Sequence, residues 1–151
     1  MTDDASTWDA VLRPRITPLF AYAIAAVVAM TAVLAGVFMR VKSTGVVFRT
    51  SDQFGLAGVG IVLAAAILLM ARPRLRVGPT GLGVRNMLTD RLVPWDDVVD
   101  VSFPAGKRWA RIELSNDEYV PVLAIQSVDR ERAVFAMDTV RAAVAKYGVH
   151  R

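Results

Sequence analysis

The sequence predicts a two-helix transmembrane hairpin followed by a small α+β domain, an antiparallel sheet structure capped by a C-terminal helix. Three observations predict it. Two long, uncharged apolar segments lie in the first half of the 151-residue chain. The second half alternates apolar and polar residues in short runs between turn residues, as half-buried strands do. Its last stretch repeats apolar residues every three or four positions, the stripe of an amphipathic helix.

The first apolar segment, TPLFAYAIAAVVAMTAVLAGVFM from Thr17 to Met39, has no ionisable residue. As a helix it reaches ~34 Å, enough to cross a hydrocarbon core of ~30 Å. It is too long for the apolar core of a signal peptide, although Arg13 and Arg15 precede it. The second, FGLAGVGIVLAAAILLMA from Phe54 to Ala71, is shorter at ~27 Å, with a Leu/Ile-rich end that offsets its glycines. Backbone in lipid must satisfy its own N–H and C=O groups, so both segments are expected to be helices. The rest of the chain has too few amphipathic partners to bury two helices that are apolar all round.

Two spans place both termini on one side. Arg13, Arg15, Arg72, Arg74 and Arg76 flank the spans there, against Arg40, Lys42 and Arg49 in the connection. That bias favours both ends in the cytoplasm, with the chain in the plasma (inner) membrane. Arg72, Arg74 and Arg76 form a collar that either contacts anionic lipid or serves only as a topology signal. Ala21, Ala25 and Ala29, with Gly60 and Ala64, repeat at four-residue spacing and suit close helix packing. An alanine-rich composition produces the same spacing by chance. No charge lies inside either span, which argues against an ion or proton pathway. The connection at 40–53 is polar except for Val46, Val47 and Phe48.

The domain expected at 72–148 reads strand by strand. Leu75 and Val77 alternate with Arg74 and Arg76, Gly78-Pro79-Thr80-Gly81 turns the chain, and Leu82 and Val84 follow. Arg91–Pro94 is a brief strand. Val99, Val101 and Phe103 are expected on one face and Asp100 and Ser102 on the other. Pro104-Ala105-Gly106-Lys107 leads into Arg108–Leu114, with Ala110, Ile112 and Leu114 inward. Ser115–Glu118 leads into Tyr119–Ile125, whose Pro121 marks an edge or a bulge. Hairpin-length turns make this an antiparallel meander. A helix from about Asp129 to Tyr147, capped by Ser127 or Asp129 and stopped by Gly148, buries Ala133, Met137, Val140, Val144 and Tyr147. Residues 1–16 carry Asp3, Asp4, Trp8 and Asp9 without a helical pattern, and such tails are usually disordered unless tied down. A tie at the termini would favour a subunit of an assembly over a solitary receptor.

The order GLGVRN, RLVPWDDVVDVSF, WARIEL and YVPVLAIQS, followed by a C-terminal helix, resembles the bacterial PH-like domain. It is most similar to actinobacterial membrane proteins of the low-molecular-weight antigen 6 type, whose two preceding helices also match. Val93-Pro94-Trp95-Asp96-Asp97-Val98 is the core of the resemblance, which covers about residues 72–148. It implies a PH-like sandwich or barrel and no catalytic residues.

Absences narrow function further. With no cysteine and one histidine, His150, the chain lacks thiolate chemistry and a histidine-based metal site or triad. Gly78-x-x-Gly81-x-Gly83 lacks the strand–helix context of a dinucleotide loop. Residues 72–151 hold 13 Lys/Arg and 10 Asp/Glu, too mixed for a nucleic-acid face. Asp96 and Asp97, adjacent on an extended chain, would point apart and not share an ion. No enzyme activity, cofactor, metal or small-molecule substrate is expected.

Lys107, Arg108, Trp109 and Arg111 form the strongest surface candidate. An exposed Trp among cations suits a protein partner, a headgroup or a membrane interface, or a cation–π contact within the domain itself. The first hairpin, Gly78–Gly81, lacks the dense basic cluster that phosphate-binding PH domains use. Two roles compete. The first is a non-catalytic accessory or assembly subunit of a larger membrane protein complex, an actinobacterial respiratory supercomplex being the most concrete candidate. The second is a sensor of anionic lipid or the membrane surface.

Overall fold

Leu75 and Val77 alternate with arginines, and Leu82 and Val84 with glycine and arginine, a period that buries every second side chain of a strand. In a computed structural model, which describes residues 8–41 and 50–148, these runs are β2 (Arg74–Gly78) and β3 (Gly81–Arg85). They sit inside a four-stranded antiparallel sheet with β1 (Ala10–Leu12) and β4 (Asp90–Val93), in the order β1-β2-β3-β4. Gly81 has φ +140, and a Cβ there would run into the Val93 carbonyl, so the hairpin tip requires glycine.

A second sheet, in the order β5-β6-β7, is built from Val98–Ser102, Trp109–Leu114 and Tyr119–Gln126. Ala110, Ile112 and Leu114 point inward together. β5 departs from the expected alternation. A bulge between Val98 and Asp100 turns Val99 outward, 62% exposed, while Val98 packs on the core and Val101 is buried. The extra residue of a bulge shifts which side chains face in. Pro121 lies on β7, an edge strand, where its missing N–H breaks no ladder. The Asn86 side chain brackets that edge, donating to Pro121 O at 2.9 Å and accepting from Leu123 N–H at 3.2 Å.

Helix α3 (Glu131–Tyr147) closes the core between the sheets. It buries Ala133, Ala136, Met137, Val140 and Ala143, with Val144 and Tyr147 only partly covered. Gly148 ends it by donating to Val144 O at 2.7 Å, in an extended rather than left-handed conformation. The expected cap differs. Ser127–Asp129 forms a 3-10 turn, Arg130 occupies the cap position without a side-chain bond, and the Asp129 carboxylate binds elsewhere. Trp95 is buried on a 3-10 turn over Trp95–Asp97, donates Nε1–H to Gly78 O at 2.9 Å, and stacks on Tyr147 at 5.8 Å. Asp96 and Asp97 are therefore exposed on a turn and not on an extended chain.

The segment before the helices also departs from expectation. Residues 10–12 form β1, paired Ala10↔Val77 and Leu12↔Leu75, with Ala10 and Leu12 against the core. Asp9 accepts from the Tyr147 hydroxyl at 2.6 Å and lies 3.4 Å from Lys146 Nζ. Asp129 accepts the N–H groups of Arg15 and Ile16. The chain accordingly divides into two compact units, Thr17–Ala71 and the remainder.

The helical unit comprises α1 (Ile16–Val41) and α2 (Thr50–Leu68), the latter running into a 3-10 turn to Ala71. Ile16–Phe38 and Ser51–Ala71 have mean hydropathies of 2.2 and 2.5 and are only 11% and 6% buried. Both are long and apolar enough to cross a membrane. Large side chains such as Phe20, Met30, Ile61 and Val62 cover their outer surface. A soluble core helix would hide them. Asp3, Asp4, Lys42, Val46–Phe48, Arg49 and His150 lie outside the described residues, as does the Arg40 side chain.

Candidate interaction surface

Lys107 and Arg108 stand exposed on the turn joining β5 to β6, which closes with Lys107 N–H donating to Pro104 O at 3.1 Å. The period of β6 then sends Trp109, Arg111 and Glu113 outward. Trp109 keeps 41% of its surface exposed. Arg111 is committed. Its Nη2 lies 2.8 Å from Glu113, its Nε donates to Glu113 and to the Ser102 hydroxyl, and its guanidinium covers the Tyr119 ring at 5.7 Å. The Ser102 hydroxyl first, and Arg111 second, hold the Glu113 carboxyl below the usual carboxylate range. Lys107, Arg108 and Trp109 remain open to a partner.

The same turn adjoins the start of α3. Arg108 O accepts Ser127 N–H at 2.9 Å, and Trp109 stands opposite Gln126. Three residues beyond Ser127, Arg130 turns into the helix at φ 47 and ψ −112, a conformation that costs an L residue energy. Beside it lies a groove of about 520 Å³, its apolar surface supplied by Phe103, Ala133, Val134 and Met137. Arg130, Asp138 and Arg141 edge it. Among the described residues, neither arginine makes an ion pair. A second cavity of about 400 Å³ lies where the end of β1 meets β7 and α3, and its rim mixes Arg13 and Arg132 with Asp129 and Glu131.

A family model described as a bacterial PH domain matches residues 72–143. An uncharacterized protein of Mycobacterium tuberculosis H37Rv is 58% identical over 147 residues, 97% of this chain and 96% of that protein. The chain belongs to the bacterial PH domain family. An uncharacterized protein of Mycobacterium bovis matches to the same extent. A different uncharacterized protein of Mycobacterium tuberculosis is 29% identical over 79 residues, 51% of this chain and 56% of its own. No solved structure matches.

The PH domain here extends past the matched segment at both ends. β1 joins its first sheet from in front of α1, and α3 runs on to Tyr147. The basic collar is part of that sheet. Arg72 is exposed, but Arg74 and Arg76 are half-buried strand residues opposite Arg85 and Gly83. The Arg76 guanidinium sits 5.8 Å from the Trp8 ring, and Trp8 covers Gly83.

In the helical unit, Ala21, Ala25 and Gly60 are buried, and Ala29 and Ala64 are partly so. A Cβ at Gly60 would meet the Ala32 side chain, a residue outside the four-residue series noted in α1. The sequence placed Phe103, Ala133 and Met137 on strand and helix faces but did not bring them together as a groove. Phe103, Arg130 and Arg141 are far apart in the chain and share no spacing. Val134, apolar yet off the buried stripe of α3, was its one sequence signal.

Proposed function

We propose that this protein is a non-catalytic, membrane-anchored accessory subunit whose PH domain binds a larger membrane protein complex. The observation that carries the reading is the outer face of α3. Val134 and Phe135 stand side by side, 62% and 69% exposed, next to a groove whose arginines lack partners among the described residues. Bare apolar surface rimmed by polar groups marks interaction sites on soluble domains. The two apolar helices fit the same role, since they tether such a domain beside membrane partners.

On this reading the helices span the plasma membrane and both termini are cytoplasmic, as the flanking arginines favour. Within the family we place the chain with the actinobacterial antigen 6 type, on its Val93–Val98 stretch. A respiratory supercomplex is the partner class we would examine first. Sensing of anionic lipid is less favoured, because Arg76 and Arg111 are engaged by Trp8 and by Glu113 with Tyr119.

The test is extraction of the tagged full-length chain, at native expression, in mild detergent. Integral membrane proteins should co-purify in fixed ratio, and Val134→Asp with Phe135→Asp should release them. A clean monomer from the unaltered chain would overturn the proposal.

A further inference from the structure

We infer that the groove between the β5–β6 turn and α3 seats an acidic, amphipathic helical segment of a partner protein, a refinement that rests on the accessory-subunit reading. The floor is apolar, with Phe103 and Val134 open to it and the buried Met137 beneath, whose flexible side chain can adapt to what lies above it. The rim is basic. Arg130 and Arg141 line it, and the turn with Lys107 and Arg108 is fastened alongside by the Arg108 O to Ser127 N–H bond. Guanidinium groups hold carboxylates by paired hydrogen bonds, so two arginines beside an apolar floor select acidic residues flanking apolar ones.

Strand addition is the other way a segment could bind beside β5, and the edge is built against it. β5 carries a bulge, and its Val101 N–H is already taken by the Asp100 carboxylate at 2.7 Å. Bulges and occupied edge amides discourage a new strand. The entering segment must therefore bind through side chains, as the apolar face of a helix does when it lies in a groove. Asp138 separates a peptide from a lipid. It stands on the rim one turn before Arg141, where it repels a compact polyanionic headgroup but leaves room for a segment of spaced carboxylates.

The test uses the full chain in nanodiscs of neutral phosphatidylcholine. The probe is a fluorescein-labelled synthetic helix with leucines at i, i+3, i+4 and i+7 and flanking glutamates, alongside its counterpart with lysine for glutamate. The acidic peptide should bind, more weakly as salt rises, and the lysine peptide should not. Arg130→Ala with Arg141→Ala should weaken binding at least about tenfold. Arg130→Gly serves as a second variant, since glycine accepts the positive φ and so removes the side chain without adding backbone strain. Equal binding of both peptides overturns the assignment, as does full affinity in the arginine variants. So does binding of phosphatidylglycerol vesicles through these arginines without binding of the acidic peptide. Co-purification separates the groove from the accessory role. Partners retained in full by the Arg130→Ala, Arg141→Ala chain would remove the groove and leave the accessory role, whereas no partner on the unaltered chain removes the role itself.

Discussion

The Asp129 carboxylate accepts the backbone N–H of Ile16 at 3.0 Å, across 113 residues of sequence, and that of Arg15 at 3.2 Å. Asp129 is 9% exposed. One side chain thus satisfies two amides that follow β1, where the chain leaves the PH domain for the first apolar helix. The 3-10 turn that ends on Asp129 and the strained Arg130 that follows hold this carboxylate off the α3 N-terminus it was expected to cap.

Asp129→Ala should destabilise the PH domain by about 1–3 kcal/mol, the cost of leaving part-buried donors unpaired. Asp129→Asn keeps one acceptor oxygen and should lose less. Thermal unfolding of the full chain in detergent measures both. Equal stability of Asp129→Ala and the unaltered chain would show that the contact contributes nothing.

The other end of the β1 segment is held by Asp9, Tyr147 and Lys146, and its grip should depend on pH. The Tyr147 hydroxyl first, then Lys146, hold the Asp9 carboxyl below its ordinary value. A depressed acid contributes stability above its unfolded value, and that contribution is lost as pH falls through the folded one. Tyr147 first and Asp9 after it raise Lys146, whose contribution is present below its unfolded value and lost as pH rises through the folded one. β1 should therefore loosen below about pH 4 and again above about pH 10.5. Val11→Cys, in a chain with no other cysteine, provides a labelling site for fluorescence anisotropy. Asp9→Asn should abolish the acid step. An unchanged acid step in that variant would point to another group.

Gly60 and Gly58 lie in one helix and should answer differently to alanine. A Cβ at Gly60 meets the Ala32 side chain, whereas nothing lies within 4 Å of one at Gly58. Gly60→Ala should loosen the hairpin, and Gly58→Ala should leave it unchanged or firmer by up to about 1 kcal/mol from helix propensity. Resistance of the hairpin to proteolysis in bilayers compares them. Identical behaviour would mean that the close approach is not needed.

Much of the PH domain was legible because its signals are local. Ala110, Ile112 and Leu114 alternate within one strand, and Ala133, Met137 and Val140 repeat within one helix, so period alone places them. Where the reading failed, the deciding contact was distant. Three residues, Ala10–Leu12, are too short to show a period, and their partner β2 lies beyond both apolar helices. Val98 and Val99 are indistinguishable in sequence until the bulge chooses between them. Asp129 reads as a cap for the helix it precedes, and only the fold reveals that the amides of Arg15 and Ile16 claim it. The groove belongs to the same class, since Phe103, Arg130 and Arg141 meet only when β5 and α3 are side by side.

Every role argued above needs α1 and α2 to lie across a lipid bilayer. Alkaline carbonate treatment of membranes carrying the full-length chain tests this directly, because it strips peripheral proteins and leaves spanning ones. The chain should stay in the pellet and enter solution only with detergent. Its release into the supernatant as a soluble monomer would contradict the account.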